Sequence, residues 1–326
     1  IYIVLFTHLS YNKIMKICTF NVLNLFLNMD KYDGQDLNTI TELEWATLSP
    51  NFGDVQRNKS IFELTGLAQA ILDINADAYI LPEVGGYHSL KNFNEYFLNS
   101  QYKVIVKEEN SFRGIFVGYL VKKEFDYEIE SFSHEKIKVG EELKTLSRNL
   151  NVVTLSKDKK VLCHLIGVHL KSQRNDEKSK DIDFMDVREA ELAKIVEIHD
   201  RVSANTTAPI FIGGDFNFDL LVSGRQESKS ILNTDLIDIH QLKQSSDRER
   251  CTFVFFQSMG SVVVKQQLDF LLFDKKFSPL IDKQLSGTYY FKNEYGDSLG
   301  LPESRFEKSL MPSDHLPLVI VFDHTK

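Results

Sequence analysis

Apolar residues fall in short runs separated by polar or glycine-rich stretches. Residues 16–22 (KICTFNV), 78–81 (AYIL), 102–106 (YKVIV), 114–121 (GIFVGYLV), 151–155 (NVVTL) and 161–170 (VLCHLIGVHL) have strand length and are rich in β-branched and aromatic residues. The runs PIFIG (209–213), CTFVFF (251–256), LDFLLF (268–273) and LPLVIVF (316–322) repeat the pattern toward the C-terminus. Three segments carry a helical period instead. Residues 59–74 place Ile61, Leu64, Leu67, Ile71 and Ile74 on one stripe, residues 88–98 form a second helix, and residues 185–202 set Val187, Leu192, Ile195, Val196 and Ile198 among charges. Strands in runs, with helices interspersed rather than alternating, predict an α+β sandwich with sheets face to face and helices outside. No glycine-rich loop joins a strand to a helix as a nucleotide fingerprint would, since GGYHSL and GGDFNF match neither known pattern.

A polar connection from residue 23 to about 56 contains Trp45, the only tryptophan. A link of that length more often borders a site than merely joins elements. No linker or solenoid-period repeat divides the 326 residues, so residues 15–326 are expected to form a single domain. Residues 1–14 precede Met15 and read as an extension; their apolar run IYIVLF is too short to span a bilayer. The net charge of −8 and pI near 5.7 exclude coating of nucleic acid by bulk electrostatics. They leave room for an enzyme in which one cation and a few bases act locally. Cys18, Cys163 and Cys251 have neither zinc-site nor disulfide spacing, which points to a reducing, cytoplasmic setting, with secretion left open. The chain is read as a monomer without a transmembrane segment.

The apolar runs end in polar residues that suit phosphate chemistry: Asn21, Glu83, His169, Asp215 with Asn217, Asp269, and Asp314 with His315. Phosphate-ester hydrolysis needs an activated water, stabilised non-bridging oxygens and a neutralised leaving oxygen. A hard divalent cation with few carboxylate ligands suits the last two tasks. Glu83 stands where its side chain can leave the core. Asp215 and Asn217 would point to the same side of an extended segment, with Gly213 and Gly214 letting the backbone approach substrate. Asp269 can orient His315 and sustain its proton, Asp314 can reach the metal through water, and His169 offers a further donor and leaving-group acid.

The ordered set FNVLN, ILPEV, GVHLKS, GGDFN, LDFLLF and SDHLP, spanning residues 16–322, resembles the endonuclease/exonuclease/phosphatase superfamily. That resemblance implies a four-layered sandwich with two central mixed sheets flanked by helices, forming one catalytic domain. It further implies Mg²⁺, with Mn²⁺ or Ca²⁺ as alternatives, near Asn21 and Glu83. Asp215 would be the base, Asn217 and His169 would lie on phosphate, and Asp269 and His315 would form a dyad. FRGIFVGYLVKK and LSRNLNVV resemble bacterial nuclease-like members and make Arg113 and Arg148 candidate phosphate contacts. The motifs GDFNFD and LDFLLF depart from inositol phosphatases, while Pro82 and His169 depart from apurinic endonucleases. The resemblance thus favours a nuclease acting on DNA or RNA, with an inositol-polyphosphate phosphatase or sphingomyelinase-like phospholipase as the alternative. In that second case the partner is a phosphorylated small molecule or lipid, and residues 289–291 (YYF) are a possible docking element for bases or lipids.

Overall fold

Side chains alternate along each strand between two different cores, which is how the sequence pattern becomes layers. The computed structural model describes residues 14–49, 57–173, 184–222, 224–257 and 263–325. With strands numbered in chain order, β1 (Ile14–Thr19), β2 (Ala78–Val84), β3 (Tyr102–Val106), β4 (Phe116–Lys122), β15 (Gly287–Thr288) and β16 (Leu318–Asp323) form one six-stranded sheet, ordered β15-β16-β1-β2-β4-β3. A second sheet is ordered β11-β14-β10-β9-β8-β5. It is built from β5 (Asp126–Ser131), β8 (Asn151–Lys157), β9 (Lys160–His169), β10 (Ile210–Asp215), β11 (Leu236–Asp238) and β14 (Asp269–Asp274). Ile17, Ile80, Tyr119, Leu165, Phe211, Leu271 and Ile320 meet between the sheets. Their neighbours Cys18, Tyr79 and Val319 face a separate outer core with α1 (Glu42–Leu48) and α2 (Ile61–Ile74). Ile166, Ile212 and Leu272 face another, with α4 (Met185–Ser203). The chain therefore forms the expected α+β sandwich with two mixed sheets and helices outside.

The two sheets share one plan. Each has a central parallel pair, β1 with β2 and β9 with β10, and an antiparallel neighbour, β16 or β14. The C-terminal ends of β1, β2, β9 and β10 consequently lie at the same edge as the starts of β14 and β16. All the polar strand-end clusters are brought to that edge.

Tyr119 fastens the sheets together. Its hydroxyl accepts from Gly167 N at 2.9 Å and donates to Asn151 O at 3.0 Å. A Cβ at position 167 would overlap that hydroxyl. Tyr119→Phe leaves the buried Gly167 N–H without its partner and is expected to cost about 1–3 kcal/mol, measurable by chemical denaturation.

The polar 23–56 connection contains α1, started by a Thr41–Glu44 capping box. Trp45 is buried there, donating to Lys59 O at 2.9 Å and meeting Phe97 edge-on, so the tryptophan belongs to the core. The CTFVFF run yields β12 (Phe253–Phe256), which pairs with β13 (Val263–Gln266) as a ribbon outside both six-stranded sheets. A charged hairpin, β6 (Lys136–Val139) with β7 (Glu142–Thr145), has no counterpart in the sequence reading. Residues 289–291 do not form a free docking element. Phe291 is buried, Tyr289 donates to Asp73 at 3.1 Å, and both tyrosines pack on the outer core. Of the proposed extension, Ile14 opens β1 opposite Asp323, and residues 1–13 lie outside the described segments. No helix among the described residues is long and apolar enough to cross a membrane.

His199 on α4 supplies a pH dependence away from the strand-end edge. Its ring lies 3.1 Å from Asp200 and 3.3 Å from Asp274. Burial lowers its pKa, but the two carboxylates outweigh that and raise it above the usual 6.5. Because the folded value is raised, the stabilisation is fully present below about pH 6.5 and is lost as pH rises through the folded pKa. Urea denaturation should show wild type exceeding His199→Gln at about pH 6, with the gap closing by about pH 9.

Candidate active site

Asp215 ends β10, opposite His169 of β9 on one side and Asp269 of β14 on the other. Its carboxylate is buried but not idle. Oδ2 accepts from Asn21 Nδ2 at 3.0 Å and Oδ1 from Asn217 N at 2.7 Å. Asn217 adopts φ 57°, closing this turn, and its amide donates to Leu170 O at 2.9 Å. Gly213 and Gly214 serve packing within the protein, correcting the expectation that they face substrate. Gly214 has φ 146° and a Cβ there would strike the Val168 carbonyl, while one on Gly213 would meet Ile80. Absent side chains thus let β9 and β10 lie close enough to juxtapose His169 and Asp215.

Glu83 lies on β2 where the pairing with β4 is irregular between Leu81 and Val84. It has φ 68°, a left-handed conformation that costs a glutamate on the order of 1–3 kcal/mol. Backbone bonds fix it there: its carbonyl accepts from Leu25 N at 2.8 Å and its Oε2 from Asn24 N at 3.0 Å. Oε1 is left facing His169 Nε2 at 3.8 Å, which also stands 3.9 Å from Asp215 Oδ2. Both separations are too long for hydrogen bonds. Burial, reinforced by Arg148, His315 and Arg113, pushes His169 well below the usual range, so it is neutral and these are not ion pairs. Its Nδ1 is buried without a hydrogen-bond partner among the described residues.

On the other side, His315 Nδ1 lies 2.7 Å from Asp269 Oδ2. Burial opposes a charged ring, yet Asp269 and Asp215 outweigh it and raise His315 to about 10. The imidazolium therefore persists at neutral pH. The turn before it is held by Ser313, whose hydroxyl donates to Asn21 O at 2.7 Å and accepts from His315 N at 3.2 Å. Asp314 is not brought into the cluster with Asp215. Its Oδ2 lies 3.5 Å from Lys308 Nζ and its Oδ1 3.9 Å from His315 Nε2. Burial, with Asp269 and Glu83 nearby, raises Asp215 to about 7 against the pull of His315.

Ligand atoms of Glu83, His169 and Asp215 lie within 4.8 Å of one another, as do those of Asp215, Asp269 and His315. Among the described residues no lysine or arginine forms an ion pair with Glu83, Asp215 or Asp269. Asp269 Oδ1 is buried and has no hydrogen-bond partner among the described residues. Carboxylate oxygens crowded together without an ion-paired lysine or arginine suit a hard divalent cation. Glu83 and the Asn21 carbonyl would hold it.

No family model and no curated protein matches the sequence. Solved structures do. Truncated Caenorhabditis elegans TDP2 superposes with a TM-score of 0.58 at 19% identity, covering 95% of this chain and 98% of that one. D. rerio TDP2 complexed with single strand DNA product gives 0.56 at 14% identity, over 95% and 99%. An endonuclease/exonuclease/phosphatase family protein from Bacteroides thetaiotaomicron gives 0.52 at 14%, over 95% and 98%. The chain shares the fold of these structures.

At this edge Arg148 follows the β6–β7 hairpin and Arg113 precedes β4, so the sheets contribute one each. Arg148 is half-buried, bonded to Ser147 O at 2.7 Å, while Arg113 is exposed. Burial and the charge of Arg113 lower the Arg148 pKa, a sign that the two guanidiniums are neighbours. Two positioning residues were missed in the sequence. Asn149 joins the sheets by accepting from Val117 N at 2.8 Å and donating to Val117 O at 2.9 Å, which places Arg148 beside the loop of Arg113. Glu191, buried on α4, accepts from Ser147 N at 2.8 Å and Lys171 N at 3.1 Å, fixing the backbone on both sides of His169 and Arg148. Asn149 sits inside the motif LSRNLNVV, but Glu191 sits on a helical face where a glutamate reads as solvated.

Proposed function

We propose that this protein is a divalent-metal-dependent phosphodiesterase acting on nucleic acid. The observation that carries the reading is the position of Asp215. Asn21 and Asn217 hold it between Glu83 and His169 on one side and the His315–Asp269 dyad on the other. A cation bound by Glu83 and Asn21 would supply charge neutralisation at the phosphate and at the leaving oxygen. Asp215 takes the proton of the attacking water, its two amide partners fixing which lone pair faces that water. His315, protonated and oriented by Asp269, donates Nε2–H to a non-bridging oxygen. Neutral His169 contributes one N–H rather than acting as a leaving-group acid. The Asn217 amide already donates to Leu170 O, so its first effect is on Asp215 and the turn. Arg113 and Arg148 take phosphate oxygens, which suits a polyanionic substrate despite the net charge of −8.

The fold alone hosts several phosphate-ester chemistries. The nucleic-acid reading therefore draws on the paired arginines and on the D. rerio TDP2 structure with its single strand DNA product. A panel of plasmid, single-stranded DNA, RNA, sphingomyelin and inositol phosphates, each with Mg²⁺, Mn²⁺ or Ca²⁺, tests it. Diester cleavage of a nucleic acid is expected. Phosphate release from inositol phosphates with DNA and RNA left intact would overturn it.

Glu83→Gln keeps the side-chain shape and removes the charge offered by Oε1. The expected result is a Mg²⁺ requirement raised by about 10–100-fold with the melting temperature little changed. Full activity in chelator, or an unchanged Mg²⁺ titration, would remove Glu83 from the metal site.

A further inference from the structure

Beside Arg148 the surface opens into a groove of about 830 Å³, toward the upper end of small-ligand clefts at roughly 300–1,000 Å³. Its walls are the 110–113 loop, the β6–β7 hairpin and the start of α4. Arg113, Lys136, Lys144, Arg148 and Lys171 line it, and among the described residues no carboxylate does. Lys144 has Glu142 at 3.1 Å, and the Lys171 ammonium lies 4.5 Å over the Phe184 ring. Phe112 stands fully exposed at the rim, its ring uncovered by any of the described residues.

The groove flanking the other side of the site is electrically different. It measures about 500 Å³ and mixes Glu63 and Asp314 with Arg305 and Lys308. Those cations are already engaged: Lys308 with Asp314 and Val254 O, Arg305 with the carbonyls of Phe256 and Gln257. A polyanion passing the catalytic edge is thus drawn to the hairpin side.

We infer that the hairpin groove receives an unpaired nucleic-acid strand on one side of the scissile phosphate, with Phe112 stacking on a base and Lys136 meeting a backbone phosphate. The inference rests on the phosphodiesterase reading above and deepens it to single-stranded substrate. An aromatic ring offered edge-free to solvent beside cations is the arrangement that holds single strands. A base reaches such a ring when it is splayed from its neighbours, which a paired duplex prevents. The β6–β7 hairpin builds half of this wall, so a feature with no apolar signature becomes a determinant of strand choice.

The test compares kcat/KM for a short single-stranded oligonucleotide, the same oligonucleotide as a duplex, and bis(4-nitrophenyl) phosphate, which lacks any base or flanking phosphate. In Phe112→Ala the ratio of single-stranded oligonucleotide to small diester is expected to fall about 10-fold, with Phe112→Trp restoring it. In Lys136→Ala the salt slope of oligonucleotide binding should flatten by about one phosphate contact. Unchanged ratios in both variants, or an equal loss on duplex and single strand, would overturn the inference while leaving the nuclease reading intact. Wild-type protein that hydrolyses the small diester but no oligonucleotide would instead overturn both.

Discussion

Asp215→Asn is expected to lower turnover by on the order of 10²–10⁴-fold, the range a positioned general base contributes. The same change should stabilise the fold. A carboxyl held near 7 rather than 3.8 penalises the ionised native state by on the order of 4 kcal/mol, chiefly through burial with Glu83 and Asp269 alongside. The sign follows from proton linkage. Because the folded pKa is raised, the native state binds the proton more tightly than the unfolded chain, and the penalty grows as pH rises from 3.8 to about 7. Asparagine cannot ionise, so Asp215→Asn should exceed wild type in chemical denaturation at about pH 8 and converge with it near pH 4. An added divalent cation should shrink the gap by stabilising the wild-type carboxylates. A buried aspartate that stabilised the protein would show the opposite trend, so loss of activity together with gain of stability marks a residue kept for chemistry.

Much of this edge was legible because two patterns coincide. Strand-length apolar runs end where the chain leaves the inter-sheet core, and a polar residue at that point must face the edge. Parallel central pairs then put Asn21, Glu83, His169 and Asp215 at one end, with Asp269 and His315 joining from strands that start there. What pattern could not reveal was how each side chain is held. The left-handed backbone of Glu83 depends on bonds from Asn24 and Leu25, across a loop whose sequence shows no periodicity. Asn149 and Glu191 satisfy backbone groups in the interior, and such residues look like surface polar residues until their partners are known. The β6–β7 hairpin escaped because its exposed face is charged and just Ile137 and Val139 of β6 turn inward. The glycines of GGD look, by sequence alone, suited to a backbone that approaches substrate. In fact they relieve contacts with Val168 and Ile80 that arise when strands distant in sequence are stacked.

His315→Ala is expected to lower turnover by on the order of 10²–10³-fold, the loss seen when one preorganised donor to a developing oxyanion is removed. It also strands Asp269, whose Oδ2 loses its 2.7 Å partner while Oδ1 is already buried and unbonded. Breaking a buried pair from one side costs about 3–5 kcal/mol, so inactivity in this variant alone would be ambiguous. Asp269→Asn separates the two effects. It keeps the ring and its Nδ1 contact but removes one of the charges that lift His315 to about 10. If the imidazolium is the active form, wild-type activity persists to alkaline pH and declines as pH rises through that value. In Asp269→Asn the decline should begin at lower pH, with turnover at about pH 6 much less affected than turnover at about pH 9. A structural dyad would instead give a uniform loss across pH that tracks the fraction folded. The pH profile of Asp269→Asn, taken with melting curves for both variants, therefore decides whether His315 works on phosphate or merely braces the start of β16.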